Sequence, residues 1–505
     1  MNTIIKTLFL LFCSSLLSQA QNFTYFNKTY GGNDTINILA QAAVPIDSGY
    51  IVCGNYATPT IEAGLYAMKI DQQGNMLWFK GLEQTAAFQN LGIDWGGEVF
   101  RDGNCVILLY GKQQDINLSK LDFNGDTLWH KRYTKPGWQS LKQIIKTPDN
   151  GYLIAGMEQN LAADTVKAYS LKVDSLGNFE WDKNYIMGND ARFFTVQYTP
   201  WDGGYIFGGM GYSPTTGYDM FVVKTNSIGD SLWSRRYGST GDDCSAMVVP
   251  LTTLAEYQAG MPIEYIMTGC YQSYTPDPLV GYVDYMYTAK LDSLGGIIWK
   301  RIAIDAQNFL LIQTLPIIKP DKKFIATGVY LTNSYEARPL IIKFNVDGTI
   351  AWEKEVTLDP TKSSYIKDMR PTPDGGYVLA GYQYSSPQTA WVLKIDSLGN
   401  TCSFVGCDST IYTGYPIGLE EVLLDKVAFS IVPNPSSGTV SFVFPEAITT
   451  NCQLSIYDIS GRLVNTFALK PDTQQLTVEL HNLSSGIYYC HLSGNAKTEK
   501  LVIIK

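Results

Sequence analysis

One hairpin recurs along this chain of 505 residues and leaves it little choice of fold. It is most legible as WVLKIDSLGN at 391–400 and as AYSLKVDSLGNFEWDKNY at 168–185: a β-branched and aromatic run, an Asp, turn residues ending in Gly, and a second run. Gly177 can supply the left-handed conformation that a three-residue hairpin loop with a bulge demands. The expected antiparallel register sets Val173 opposite Phe179 and Leu171 opposite Trp181, with Lys172 pointing to the other face. The lysine returns as Lys69, Lys120, Lys172, Lys224, Lys290, Lys343 and Lys394, at intervals of 51, 52, 52, 66, 53 and 51 residues. Six of the seven have a tryptophan nine residues on: Trp78, Trp129, Trp181, Trp233, Trp299 and Trp352. A period near 50 with about four short strands per unit points to a β-propeller.

Upstream of the hairpin lies a second tight turn, seen as Asp47-Ser48-Gly49-Tyr50, Asp149-Asn150-Gly151-Tyr152, Asp202-Gly203-Gly204-Tyr205 and Asp374-Gly375-Gly376-Tyr377. One unit therefore reads strand A, tight turn, strand B, variable loop, strand C, tight turn, strand D. The seventh unit lacks strand D, because Ser403 stands where Trp is due. FNKTYGG at 26–32 matches WDKNY at 181–185, with Phe26 in the Trp place. The expectation is an all-β, seven-bladed β-propeller over residues 21–400, its ring closed by the N-terminal strand. Two basic series accompany the repeat: the strand C lysines, and Lys28, Lys80, Lys131, Lys183, Arg235, Arg301 and Lys354, each two residues after the Trp or Phe26. They are read as edge protection, with stems covering the aromatic, in preference to rings that attract an anionic polymer.

The first 20 residues have the form of a signal peptide: Lys6, an apolar run from Leu8 to Leu17, and Ser18-Gln19-Ala20 before the cleavage point. Eight cysteines then remain in an exported chain. Candidate disulfides are Cys244 with Cys270, Cys402 with Cys407, and Cys452 with Cys490, while Cys53 and Cys105 read as buried thiols. A net charge of −9 and a pI near 5.0 argue against nucleic acid as a partner. No apolar run after the N-terminus is long enough for a transmembrane helix.

Both tight turns of each unit fall on one face of the disc, so binding is expected on the other, variable-loop face. Its loops carry Trp138, Tyr212, Tyr218, Tyr271, Tyr274, Tyr282, Tyr330, Tyr335 and Tyr384. Such aromatics bring large rigid contact area, which suits a glycan or a protein ligand. His130, His481 and His491 are the three histidines, and no nucleophile, metal or cofactor motif stands in a credible setting. No catalytic residue, metal or cofactor is therefore assigned. Asp190, Asp242 and Asp243 on the same face could serve a glycosidase pair, although acidic loops are ordinarily solvated surface. The function expected is a secreted or surface-displayed binding or adhesion module. The alternative is a propeller hydrolase or lyase acting on polysaccharide.

After Asn400 the repeat stops, residues 401–427 read as a linker, and a second domain occupies 428–505. It holds PNPSSG (Pro433, Asn434, Pro435, Gly438), LSIYDISGRLV (Tyr457, Asp458, Gly461, Arg462), LSSGIYYCHL (Gly486, Tyr488) and the terminal KLVIIK. These motifs, in this order, resemble the type A C-terminal sorting domain of Bacteroidota proteins exported by the type IX secretion system. The resemblance implies a small β-sandwich recognised by the outer-membrane export machinery, and delivery through the periplasm to the surface or the medium. The blades also resemble repeat propellers found in such exported proteins. Their D-x-x-G-x-x-x-W string is similar to the tryptophan-docking repeat of pyrroloquinoline quinone propellers, a likeness of packing that carries no quinone site. Asp-Ser/Thr-apolar triplets such as Asp174-Ser175-Leu176 resemble Bacteroidota O-glycosylation acceptors, and turn chemistry explains the same residues. Deleting residues 429–505 is expected to leave the protein in the periplasm, as cell fractionation would show; normal export without them would refute the sorting assignment.

Overall fold

In a computed structural model the chain divides into two compact units, residues 1–415 and 416–505. The structure describes residues 24–401 and 429–505, apart from 32–35, 58–62, 86–96, 113–114, 161–164, 240, 275–281, 304–309, 313, 333–335, 357–358, 360, 445–447, 449–451, 459–462 and 493–497. The expected signal peptide, Cys402, Cys407, Tyr335, Gly461 and Arg462 lie outside the described residues, as do the side chains of Tyr274 and Tyr282.

The first unit is built of seven antiparallel sheets, each a meander of strands A, B, C and D. Blade 3 is typical, with strands Trp138–Lys146, Tyr152–Asn160, Thr165–Val173 and Phe179–Tyr185. Strands B and C are buried on both faces, because a neighbouring blade covers each side, and they read as nearly continuous apolar runs. Strand D is the half-exposed outer edge. Blade 6 divides its strand A into Leu310–Ile312 and Ile317–Ile318. Blade 7 takes Ser364–Pro371, Tyr377–Gln383 and Thr389–Ile395 from the end of the repeat and Phe26–Tyr30 from its start. Phe26 pairs with Lys394 and Tyr30 with Ala390, and the Trp391 indole donates to Asn27 Oδ1 at 2.6 Å.

The hairpin register differs from the expectation by one residue. Val173 faces Phe179, but a bulge follows and Lys172, not Leu171, lies opposite Trp181. The extra residue, Glu180, shifts every later pair, which puts Lys172 and Trp181 on the same face. The same shift occurs beside Lys69, Lys120, Lys224, Lys290 and Lys343.

That bulge aims strand D at the next blade. The Trp181 ring lies against Gly229 in the C–D turn of blade 4, where a Cβ would approach it to 2.8 Å, and φ is +81° there, so both space and backbone demand glycine. Trp129 meets Gly177 and Trp352 meets Gly399 in the same way. Two and four residues on, Lys183 reaches Asp230 at 2.8 Å and the Tyr185 hydroxyl donates to the Gly229 carbonyl at 2.7 Å. Phe26, Lys28 and Tyr30 repeat this on blade 1: the ring against Gly74, Lys28 on Asn75 Oδ1 at 2.7 Å, Tyr30 on the Gly74 carbonyl at 2.7 Å. Where the next turn ends in Gly296 and offers no side chain, an arginine stands in the lysine place. Arg235 donates instead to the Leu294 carbonyl at 3.2 Å.

The strand C lysines lock the other tight turn. Lys172, 2 % exposed, pairs with Asp149 of the A–B turn at 2.8 Å and with Glu180 of the bulge at 2.7 Å. Lys224 holds Asp202 at 2.7 Å and Lys394 holds Asp374 at 2.9 Å. These buried cations are therefore not an exposed ring for a polymer, and the strand D cations clasp a neighbour rather than only shielding an edge. Blade 5 replaces its A–B turn with an insert carrying a short helix, Leu254–Gln258, whose Thr253 and Glu256 form a reciprocal capping box. The sequence reading missed this helix, although Thr253-x-x-Glu256 is its signature.

Cys244 and Cys270 face each other on strands A and B of blade 5 and are joined by a disulfide, with Cα atoms 5.0 Å apart. Cys53 and Cys105 are free thiols, Cys53 buried.

The second unit has a sheet of Ser430–Val432, Thr439–Val443 and Gln475–Glu479, and another of Leu463–Leu469, Cys452–Asp458, Gly486–Leu492 and Thr498–Ile503 in that order. Phe429, Val440, Phe442, Leu454, Ile456, Cys490 and Leu501 fill one core between them, as in a β-sandwich. The expected Cys452–Cys490 disulfide is absent and both are free thiols. Cys490 is in register with Ile456, four residues along from Cys452, roughly 13 Å at the strand rise and beyond disulfide reach.

Three outcomes follow for stability. Phe26→Ala removes a side chain only 1 % exposed and is expected to cost about 3 to 5 kcal/mol, and deleting residues 21–32 to lower the melting temperature sharply. An unchanged melting curve would refute ring closure by the N-terminal strand. Burial alone would raise the Asp149 carboxyl, but Lys172, the Thr147 hydroxyl and the Gly151 amide outweigh it and hold the pKa at about 2. Its contribution is then complete above the ordinary carboxylate range and is lost as pH falls towards 2. Asp149→Asn should melt lower than the native protein at pH 7, and thermal scans should show that gap closing between about pH 4 and pH 2.

Candidate functional site

The variable-loop face between blades 3 and 4 holds a cavity of about 370 Å³. Its floor and walls are Trp138, Lys142, Met157, Gln159, Val166, Asn189, Asp190, Arg192 and Phe194. Trp138 opens strand A of blade 3 directly after Gly137, whose φ is +103°. A Cβ on Gly137 would strike the Gln159 carbonyl, so glycine is what lets the loop close down beside strand B. The Trp138 indole N–H is buried without a hydrogen-bond partner among the described residues.

Across the cavity the segment 186–190 is pinned to its surroundings. Val166 N–H donates to the Asn189 carbonyl at 3.0 Å and Tyr212 N–H to the Asp190 carbonyl at 2.7 Å. The Asp190 carboxylate receives a fork from Arg192 at 2.8 and 2.7 Å and the Tyr218 hydroxyl at 2.8 Å. Burial would raise this carboxyl, but those donors hold it below the usual range, and burial with Asp190 beside it pushes the Tyr218 hydroxyl up. Tyr218 stacks edge-on against Tyr212, ring centres 5.3 Å apart.

At the axis, strand A of one blade is tied to strand A of the next. Asp368 accepts from Ala43 N–H at 3.1 Å, Glu98 from Ile144 at 2.5 Å, Gln143 from Val196 at 2.6 Å and Thr195 from Val248 at 3.3 Å. Arg370 of blade 7 reaches past the small strand A residues of blade 1 to Glu98 of blade 2 at 2.8 Å, while also holding Asp368 at 2.8 Å. Bulges in these strands insert one extra residue each: Gln41, Lys142, Phe194 and Lys367. Lys142 and Phe194 are in the cavity wall, and Lys367 sits over the stacked rings of Tyr365 and Tyr382 at 5.6 and 5.7 Å.

Of the aromatics singled out in the sequence, the structure brings Trp138, Tyr212 and Tyr218 to this one place. The other described ones lie elsewhere. Tyr271 stacks on Tyr287 within blade 5, ring centres 6.3 Å apart, Tyr330 donates to Glu355 at 2.6 Å in blade 6, and Tyr384 is exposed in blade 7. Lys142 and Phe194 were not foreseen, because a bulge in strand A leaves no local signature, and Asn189 and Arg192 of the cavity wall were not foreseen either. Asp243 does not face open space: it is 1 % exposed and accepts from Ser239 N–H, the Ser239 hydroxyl and Gln272 N–H, while burial pushes its carboxyl up to about 6. Asp242 accepts Tyr218 N–H at 2.9 Å. Among the described residues no group of three or more His, Cys, Asp or Glu is placed to hold a metal ion. No helix there is long and apolar enough to cross a membrane.

In the second unit the signature residues knit a loop to the last strand. Asn434 donates to the Lys500 carbonyl at 2.6 Å and accepts Val502 N–H at 2.9 Å. Ser436 exchanges backbone bonds with Val502 and Ile504, each 2.9 Å. The Tyr488 hydroxyl turns back onto the Ser484 carbonyl at 3.0 Å.

Residues 430–505 match the family model of the secretion system C-terminal sorting domain. No curated protein matches the chain. Among solved structures, the β-propeller domain of the Trilobed protease from Pyrococcus furiosus shares 8 % identity, with 74 % of this chain and 93 % of that one covered and a TM-score of 0.38. Drosophila Semaphorin 1a, extracellular domains 1–2, shares 8 % over 72 % and 87 %, at 0.41. A Synechocystis apocarotenoid oxygenase mutant shares 10 % over 92 % and 97 %, at 0.40. The second unit is thus a type IX secretion sorting domain of the Bacteroidota kind, and the chain that carries it is exported to the cell surface or the medium.

Proposed function

We propose that the propeller, residues 21–400, is an exported saccharide-binding module and that its site is the cavity between blades 3 and 4. One observation carries this: a concave, mixed polar and apolar cavity whose wall includes Trp138, with the Trp138 indole N–H unpaired. A sugar presents both an apolar ring face for an indole and hydroxyls for amide, carboxylate and guanidinium partners. Residues 1–20 then serve as the signal peptide and 428–505 as the sorting signal. The hydrolase alternative has weak support, since two of its three candidate carboxylates are occupied: Asp190 by Arg192 and Tyr218, and Asp243 by Ser239 and Gln272. A glycan array with the intact secreted protein should yield retained saccharides, and Trp138→Ala should weaken the best of them about tenfold, or about 1.4 kcal/mol. No retention of any saccharide would overturn the proposal, and shortened oligosaccharides after incubation would replace it with the hydrolase.

A further inference from the structure

A saccharide can be held by its middle or by its end, and the way the cavity is closed separates the two. Trp138, Gln159 and Val166 stand directly opposite one another on strands A, B and C of blade 3, so one cross-strand row spans the cavity wall from the axis outward. At the outer end of that row Val166 N–H donates to the Asn189 carbonyl at 3.0 Å, and Val166 forms a parallel bridge with Asp190. Strand C of blade 3 is thereby joined to the segment leading into blade 4. This closure is fixed in place. Tyr212 N–H donates to the Asp190 carbonyl at 2.7 Å, and a Cβ on Gly188, where φ is +109°, would strike the Tyr212 carbonyl, so the segment lies tight against strand B of blade 4. The cavity therefore ends blindly on its outer side. Its volume of about 370 Å³ is near the lower end for small-molecule sites, which span roughly 300 to 1,000 Å³.

Groups suited to hydroxyls gather at the blind end. Gln159 and Asn189 bring side-chain amides that have no hydrogen-bond partner among the described residues. Asp190 Oδ2 accepts from Arg192 and Tyr218, whereas Oδ1 accepts from Arg192 alone, which leaves it room for another donor. An amide N–H can donate to one sugar hydroxyl while the carboxylate accepts from its neighbour.

Resting on the saccharide reading of this cavity, we infer that it takes the terminal residue of a saccharide chain, seated with its hydroxyls against Gln159, Asn189 and Asp190, while the rest of the chain leaves on the Trp138 side. An internal residue carries a glycosidic bond on both sides, and the second of these would run into the Val166–Asn189 closure.

The test uses the intact protein and titration calorimetry with linear gluco-, manno- and galacto-oligosaccharides of increasing length. Each has one twin methylated on its non-reducing terminal hydroxyls and another reduced at the opposite end to the alditol, and cyclic glucans serve as chains without ends. Affinity is expected to level off within the first few units, one capped twin of the best binder to bind about tenfold more weakly, and a single protein molecule to bind per chain whatever its length. Loss on methylation assigns the non-reducing end, and loss on reduction the reducing end. Gln159→Ala and Asn189→Ala should each weaken the free chain about threefold to tenfold, the range of one lost neutral hydrogen bond, and leave the poorly seated capped twin unchanged. Stoichiometry that rises with chain length, cyclic and capped chains binding as well as free ones, or binding untouched in both variants would overturn the inference and leave the saccharide site standing. Failure of every saccharide, whether linear, capped or cyclic, would remove the site itself.

Discussion

The fold depends on an aromatic ring packed against a glycine in the turn of the next blade. An indole cannot approach a backbone that carries a Cβ, so each glycine in the Asp-x-x-Gly turn is demanded twice, by its left-handed φ and by the ring above it. Around that ring–glycine contact the lysine and tyrosine of strand D add a hydrogen bond to the last turn residue and one to the glycine carbonyl. An exposed ion pair such as Lys183–Asp230 contributes little alone, about 0 to 1 kcal/mol. The contact gains its weight from repetition: each blade is held by the one before it, and Phe26, Lys28 and Tyr30 perform the same act for blade 1. A ring with one such contact missing would present an open seam, and the N-terminal strand removes it.

The buried strand C lysines show the second constraint. An ammonium group at 2 % exposure is tolerated only with its charge matched, and Asp149 and Glu180 do this for Lys172. Lysine therefore ties the A–B turn to strand C, while the bulge that brings Glu180 into reach also rotates Trp181 towards blade 4. Both tight turns of a blade are thus committed to structure. Strand A is committed too, since its side chains cap the neighbour's backbone along the axis. Freedom to vary is left to the opposite face, where the cavity beside Trp138 lies.

Much of this was legible in the chain itself. The lysine spacing, the tryptophan nine residues on and the Phe26 substitute specified blade number, strand order and closure, because a propeller repeats one local solution and writes it out each time. The sorting domain was legible for a related reason: the Asn434 side-chain amide holds the last strand by donating to the Lys500 carbonyl and accepting from Val502 N–H, a pairing that needs an amide at that position. The hairpin register was not, since a bulge is a single inserted residue with no marker of its own, and Trp181 moved to the face of Lys172 as a result. The thiols Cys452 and Cys490 were paired by proximity in reasoning and separated by register in fact.

The site divides along the same line. Trp138, Tyr212 and Tyr218 could be picked out as loop aromatics, but six others of the same kind were picked with them. What distinguishes the three is that neighbouring blades lean together and the segment 186–190 is pinned between them. Sequence alone determined the architecture and the export address, since both are encoded in short local patterns read one residue after another. Only the tertiary structure decided which residues share a cavity, because Trp138 and Arg192, more than 50 positions apart in the chain, meet there only through the packing of blade 3 against blade 4.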